Sequence, residues 1–121
     1  MINKLFAICL LVKDLQISRD FYEQKLGMML NSSDTGFVDF KLGDTPLALF
    51  EKKYATAMFE AKHMKPAGGA VIALQVDDVG KTCKELTDKG VKIFEGPKVT
   101  SWGQTVAYLA DPDGHIIELT S

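Results

Sequence analysis

The sequence has few of the residues on which several common protein classes depend. It contains two cysteines, two histidines and one tryptophan in 121 residues. Cys9 and Cys83 do not make the disulfide framework of a small secreted domain, and we expect both to be buried thiols in a reducing cytoplasm. The histidines, His63 and His115, fall in a connector and directly after a turn, where we expect solvated imidazoles.

Positive charge and long apolar runs are also scarce. The formal net charge is −2, which argues against a nucleic-acid partner because phosphate binding requires a basic surface. No apolar run is long enough to span a membrane. The apolar stretch after Lys4 lacks a small-residue cleavage site and runs into Lys13, so we interpret it as a strand rather than a signal peptide. We therefore expect a cytoplasmic protein.

The chain is rich enough in apolar residues, at 46%, to form one domain with a hydrophobic core over residues 1–121. Its predicted elements occur twice in the same order, strand, helix and three strands, with an Asp that caps each helix and a Gly that ends it. The first module, about 1–51, has strands at Leu5–Val12, Met28–Ser32, Phe37–Leu42 and Leu47–Glu51, and its helix carries Leu15, Ile17, Phe21, Tyr22 and Leu26 on one face.

The second module, about 70–121, repeats this order. It has strands at Val71–Val76, Val91–Glu95, Thr105–Asp111 and His115–Thr120, and a helix whose inward residues are Val79, Cys83 and Leu86. Between the modules, we expect the connector 52–69 to form either one amphipathic helical turn with Tyr54, Met58 and Phe59 or a plain surface linker. It ends in Lys65–Gly69, which is flexible by composition.

The two last predicted strands form a hairpin around Asp111–Gly114, because Asp, Pro and Gly occupy the positions that a tight turn favours. Glu118 lies between Ile117 and Leu119 in the return strand, so its side chain points away from theirs. A carboxylate there lies either on a wet strand face or in a cavity.

This pattern resembles the vicinal oxygen chelate superfamily, which includes glyoxalase I, bleomycin-resistance proteins and extradiol dioxygenases. The resemblance covers nearly the whole chain and depends on the order and spacing of these motifs: Val12–Leu15, Phe21-Tyr22, Leu26-Gly27, Leu47–Phe50, Val76–Val79, Trp102–Gln104, Asp111–Gly114 and Ile117–Leu119. It implies an α+β fold in which two tandem βαβββ modules form a curved mixed sheet around a concave cavity. It also implies a homodimer.

The resemblance also implies where a metal would bind. Metal-dependent members carry ligands at positions that correspond here to Ala7, Ala48, Val71 and Glu118, and only Glu118 is a donor. A divalent metal needs three or four protein donors, and an Fe(II) dioxygenase site needs two His and one carboxylate. We therefore predict no metal and no cofactor.

Strand alternation assigns the cavity face if the metal-position residues line it. Cys9, Phe50 and Gln75 then share the cavity with Glu118, and Trp102 lies at its rim, where it would either stack on a ligand or cover the core or a dimer interface. The cavity is largely apolar with few polar groups, as in sites for organic ligands. Glu118 would hydrogen-bond a ligand or act as a general base.

The leading hypothesis is a metal-independent protein that binds a small organic ligand, similar to bleomycin-resistance proteins, with Glu118 as the polar anchor. We lean against an enzyme because no nucleophile or electrophile accompanies Glu118. Two alternatives stay open. One is a glyoxalase-like lyase or isomerase, or a dioxygenase, with or without metal. The other is a structural or regulatory dimer with a vestigial cavity.

Overall fold

Both predicted repeats fold as a four-stranded mixed sheet with a helix, so the α+β class with two βαβββ modules is confirmed. The computed structural model describes residues 1–65 and 69–121. It divides into two units, Met1–Lys65 and Pro66–Ser121. Residues 66–68 of the predicted flexible connector lie outside the described residues. None of the described helices is both long and apolar enough to cross a membrane.

In the first unit the sheet has the order β1-β4-β3-β2, with β1 parallel to β4 and the other pairs antiparallel. Its elements are β1 (Ile8–Val12), α1 (Leu15–Asp20), a π-helical turn (Phe21–Lys25), β2 (Met29–Asp34), β3 (Phe37–Lys41), β4 (Leu47–Glu51), α2 (Lys52–Ala55) and a 3-10 turn (Ala61–His63).

The second unit repeats this topology with the order β5-β8-β7-β6. Its elements are β5 (Val71–Gln75), α3 (Val79–Asp88), β6 (Ile93–Val99), β7 (Thr105–Ala110) and β8 (Ile116–Thr120). The predicted turn closes the β7–β8 hairpin, because the Gly114 amide donates to the Asp111 carbonyl at 3.0 Å.

One face of each sheet is buried with the helix of its unit. In the first unit, Tyr22 is fully buried and its ring contacts those of Phe21 and Phe40. In the second, the predicted inward residues Val79, Cys83 and Leu86 are all buried. Each large apolar side chain buried in this way contributes about 1.5–3 kcal/mol. The caps are confirmed too, since Asp14 accepts from the Ile17 amide and Asp78 from the Lys81 amide.

The first helix differs from its prediction. Ile17 is 56% exposed, and Ser18 is buried in its place. Burial of Ser18, Phe21 and Tyr22 follows the i, i+3, i+4 spacing of one helical face, and Ile17 lies off that stripe. The α-helix also ends earlier than expected, because the Leu26 amide donates to the Phe21 carbonyl, five residues back, and so forms a π-helical turn.

Two strands begin more than one residue later than predicted. Strand β1 starts at Ile8 rather than Leu5, and the Ile8 amide donates to the carbonyl of Pro46, a residue that has no N–H to extend the ladder. Strand β6 starts at Ile93 rather than Val91, because the Val91 amide donates to the Leu86 carbonyl and so completes the end of α3.

Two predicted environments were wrong, those of Cys9 and His115. Cys9 is exposed rather than buried, whereas Cys83 is buried as expected. In the predicted amphipathic turn, Tyr54, Met58 and Phe59 are all exposed, and the buried residues of this region are Ala55 and Met64.

His115 is also not a freely solvated imidazole. Its Nδ1 lies 2.7 Å from Oδ2 of Asp111, whose side chain is fully buried. The Asp111 carboxylate also accepts from the Asp113 and His115 amides, so this pair reinforces the turn.

Candidate functional site

Cross-strand pairing and strand alternation place the following residues on the same face of the second sheet as Glu118, which we call the distal face: Val71, Ala73, Gln75, Val106, Tyr108, Ala110, Ile116 and Thr120. In register, Glu118 lies between Ala73 on β5 and Tyr108 on β7, while Thr120 is paired with Gln75. Ile117 and Leu119 point the other way and are buried, as strand alternation predicts. The distal face therefore carries four polar side chains, those of Gln75, Tyr108, Glu118 and Thr120, among apolar ones, on a sheet whose other face is core.

Glu118 is half-buried on this face, and its carboxylate is held by one neighbour. The Tyr108 hydroxyl donates to Oε1 of Glu118 at 3.0 Å. Among residues 69–121, no other donor and no cationic side chain pairs with this carboxylate. The hydrogen bond to Glu118, followed by desolvation and by the charges of Glu118 and Glu95, raises the pKa of Tyr108.

Tyr108 was not among the predicted site residues, although its position follows from the hairpin. Phe94 of β6 lies beside it, with ring centroids 6.3 Å apart and planes tilted by 34°. Glu95, the next residue, is paired with Tyr108 across the β6–β7 ladder and forms an exposed ion pair with Lys98 at 3.2 Å. The rings of Phe94 and Tyr108 thus lie beside the carboxylate residues Glu95 and Glu118.

The corresponding distal face of the first sheet comprises Cys9, Phe37, Asp39, Ala48 and Phe50. Ala48 lies between Cys9 and Asp39 in register, and Phe50 is paired with Phe37, whose ring it meets edge to face at 6.1 Å. Cys9 is exposed as a residue, yet partial desolvation of its sulfur raises the pKa of the thiol. The predicted residues Cys9 and Phe50 therefore share one face.

Asp39 is a second carboxylate that the sequence analysis did not single out. It accepts from the Ser32 amide at 2.9 Å, from the Ser32 hydroxyl at 2.7 Å and from the Asn31 amide group at 3.2 Å. The Ser32 hydroxyl is the largest of the influences that lower the pKa of Asp39. All three of these bonds end on Oδ1 of Asp39, so this carboxylate accepts three donors where Glu118 accepts one.

Trp102 lies in the loop between β6 and β7 and is 73% exposed, so it does not cover the core of its own unit. Its indole N–H donates to Oε1 of Gln104 at 2.7 Å, and Thr100 and Gln104 close the loop through their backbones at 2.8 Å. The indole ring is thus held from one edge while its faces remain accessible.

The residues at the family's metal-ligand positions do not fit a metal. Ala48 and Glu118 occupy equivalent places, each paired with the first strand of its own module, but alanine donates nothing. Ala7 and Val71, the other two positions, are also apolar. No group of three or more His, Cys, Asp or Glu side chains arranged to hold a metal occurs among the described residues.

Comparisons with known proteins agree with the fold. A model of the Glyoxalase/Bleomycin resistance protein/Dioxygenase superfamily matches residues 4–119. The chain is 36% identical over 118 residues to a probable lactoylglutathione lyase of Synechocystis, covering 89% of this chain and 87% of that protein. It is 32% identical over 124 aligned positions to the lactoylglutathione lyase of Shigella flexneri, covering 96% and 90%.

A solved structure with a different role is also similar. TnmS3, an antibiotic binding protein from a Streptomyces species, has 30% sequence identity and a TM-score of 0.77, and the match covers 98% of this chain and 94% of that one. Proteins named as enzymes and as binding proteins therefore both resemble this chain.

Proposed function

The chain belongs to the Glyoxalase/Bleomycin resistance protein/Dioxygenase superfamily, and we propose that it is a member that binds a small organic ligand without a metal. In this proposal Glu118 is the polar anchor, and Gln75, Trp102, Phe50 and Cys9 contribute to binding.

One observation carries the proposal. Of the four family ligand positions, three are apolar, and the fourth, Glu118, is held by a phenol instead of facing other metal donors. A carboxylate with spare acceptor capacity next to an aromatic ring and a small side chain, Ala73, suits an organic ligand, because such sites combine apolar surface with few placed polar groups.

The first test is elemental analysis of protein purified without chelator and again after incubation with zinc, manganese, nickel and ferrous iron. We expect no stoichiometric metal. Stoichiometric metal that is lost in Glu118→Gln would refute metal-independent binding.

The second test is a thermal-shift screen of planar organic compounds. Ligands bound only by the native state stabilise it by RT ln(1 + c/Kd) at free concentration c, so they raise the melting temperature as their concentration exceeds Kd. We expect stabilising compounds to lose their effect in Glu118→Gln and to keep it in Glu85→Gln, which makes the same charge change on the exposed surface of α3. A screen without stabilising compounds counts against the proposal.

The second candidate is a glyoxalase-like lyase, favoured by the two relatives named lactoylglutathione lyase. It would have to work without the usual donor set, with Glu118 as a general base. A lactoylglutathione lyase assay, with and without added metals, separates the two functions. Turnover that disappears in Glu118→Gln would favour the enzyme.

The single domain over residues 1–121 and the homodimer are parts of the same proposal. Sedimentation analysis tests the dimer, and one cooperative unfolding transition shared by far-ultraviolet circular dichroism and Trp102 fluorescence supports a single domain.

A further inference from the structure

We infer that the ligand anchored at Glu118 is an organic cation carrying an aromatic group, and that Tyr108 and Phe94 form the aromatic part of its site. This inference rests on the proposed binding function and narrows it to one ligand class. It uses contacts within the second unit alone.

The first argument is the incomplete pairing of Glu118. A half-buried carboxylate normally has a cationic partner or several hydrogen-bond donors. Among residues 69–121, Glu118 has one neutral donor, the Tyr108 hydroxyl. Its negative charge is therefore left for a bound molecule to neutralise.

The second argument is the sign of the surrounding charge. The Tyr108 hydroxyl donates to Glu118, and Tyr108 is paired with Glu95 across the β6–β7 ladder, so two carboxylates lie beside this ring. Lys98 offsets part of the Glu95 charge, but both side chains of that pair are about half exposed, so the pair is well solvated. An anionic ligand would meet an unfavourable field here, whereas a cation is attracted.

The third argument is the aromatic surface. The Phe94 ring is half exposed and lies against the ring of Tyr108. Ring faces attract cations, Arg- and ammonium-like groups in particular, and ring edges and faces pack on planar groups. The Tyr108 side chain joins this surface to the anchor through its hydroxyl.

A neighbouring hydroxyl does not contribute to the site. Oγ1 of Thr120 is buried and has no hydrogen-bond partner among the described residues, and Thr120 lies two residues along β8 on the same distal face. Because this oxygen is buried, it is not offered to a ligand on the sheet surface, and the inference rests on Glu118, Tyr108 and Phe94.

The test uses three probes that share a ring and differ in charge: naphthylmethylammonium, naphthylmethanol and naphthoate. Their dissociation constants are measured by saturation-transfer NMR titration. We expect the ammonium to bind about tenfold more tightly than the alcohol, from a partly exposed ion pair together with a cation–π contact. Naphthoate should show no saturable binding.

Three variants test which residue causes the preference for the ammonium probe. Glu118→Gln should reduce the affinity for the ammonium to that for the alcohol and leave the alcohol unchanged, which also shows that the variant is folded. Glu85→Gln, on the opposite side of the same sheet, should change neither. Tyr108→Phe keeps the ring and frees the carboxylate, so the preference for the cation should persist or increase.

The outcomes separate the inference from the proposed function. Equal, saturable binding of all three probes, or a preference that survives Glu118→Gln, overturns the cation inference and leaves ligand binding standing. Tighter binding of naphthoate does the same. Absence of saturable binding by every probe in the wild-type chain overturns the cation inference, and the proposed binding function then stands or falls with the thermal-shift screen.

Discussion

The contact between Glu51 and the start of α1 gives the sharpest prediction about stability. Oε2 of Glu51 accepts from the Leu15 amide at 2.7 Å, across 36 residues of sequence, and the Glu51 side chain is only 14% exposed. The carboxylate therefore caps a helix N-terminus from the end of β4. Because Ala48 and Phe50 lie on that same strand, the contact also fixes the strand that carries part of the first distal face.

The magnitude follows from the type of bond. A hydrogen bond to a charged group contributes about 1.5–3 kcal/mol, which includes a favourable interaction with the helix dipole. We expect Glu51→Ala to lower the free energy of unfolding by about 2 kcal/mol. Glu51→Gln keeps an acceptor without the charge and should lower it by about 1 kcal/mol.

The measurement is equilibrium unfolding in urea, supported by thermal melts, in which Glu51→Ala should lower the melting temperature by roughly 6–12 °C. The matched control is Lys53→Ala. It removes the ion pair of Glu51 with a lysine that is 70% exposed, and this pair is worth less than about 1 kcal/mol. If Glu51→Ala is no more destabilising than Lys53→Ala, the cap does not stabilise the fold and the reasoning is wrong.

Three further predictions concern the sheets. Gly96 has φ +86, and a Cβ added there would lie 2.7 Å from a backbone carbonyl oxygen of β7, whereas Gly103 has φ +92 and open space around it. We expect Gly103→Ala to lower the free energy of unfolding in urea by about 1–2 kcal/mol, because alanine is strained at positive φ. Gly96→Ala should lower it by more, because the new Cβ also clashes with the backbone. The raised pKa of Tyr108 favours its protonated form in the native state. This contribution to stability is therefore present below pH 10 and is lost as the pH rises through the raised pKa. Titration of tyrosinate absorbance should show a lower pKa of Tyr108 in Glu118→Gln. The lowered pKa of Asp39 stabilises the fold above its ordinary value of 3.8, so the stability difference between wild type and Asp39→Asn should shrink as acid titrates it.

Local sequence signals predicted most of the fold correctly. The helix caps, the glycine stops and the hairpin turn each depend on a few adjacent residues, and Asp14 and Asp78 act as expected. The predicted start of a strand was wrong where a backbone amide is hydrogen-bonded to a different element. The Val91 amide completes the end of α3 instead of starting a strand, a competition that hydrophobic pattern does not reveal.

The candidate site was predicted only in part, and for a comparable reason. Strand alternation placed Glu118 on the face away from the core, but the partner of its carboxylate depends on register. The hairpin closes with the Asp111 amide on the His115 carbonyl, and counting outward from that pair places Tyr108 opposite Glu118. The pairing of Tyr108 with Glu118 could therefore have been predicted from the sequence. The contact of Phe94 with Tyr108 depends on register shifts in β6, which the sequence did not indicate.

The duplication explains why only one module offers an anchor. Ala48 and Glu118 occupy equivalent places, and so do their cross-strand partners Asp39 and Tyr108. Each module thus has one carboxylate in this cross-strand pair, but on different strands: Asp39 lies on β3 in the first module and Glu118 on β8 in the second. In the first, the partner is alanine, and Asp39 takes its donors from Ser32 and a neighbouring asparagine on β2. In the second, the partner is a tyrosine that supplies one donor and leaves acceptor capacity unused. A ligand cation therefore has more to gain at the second module than at the first.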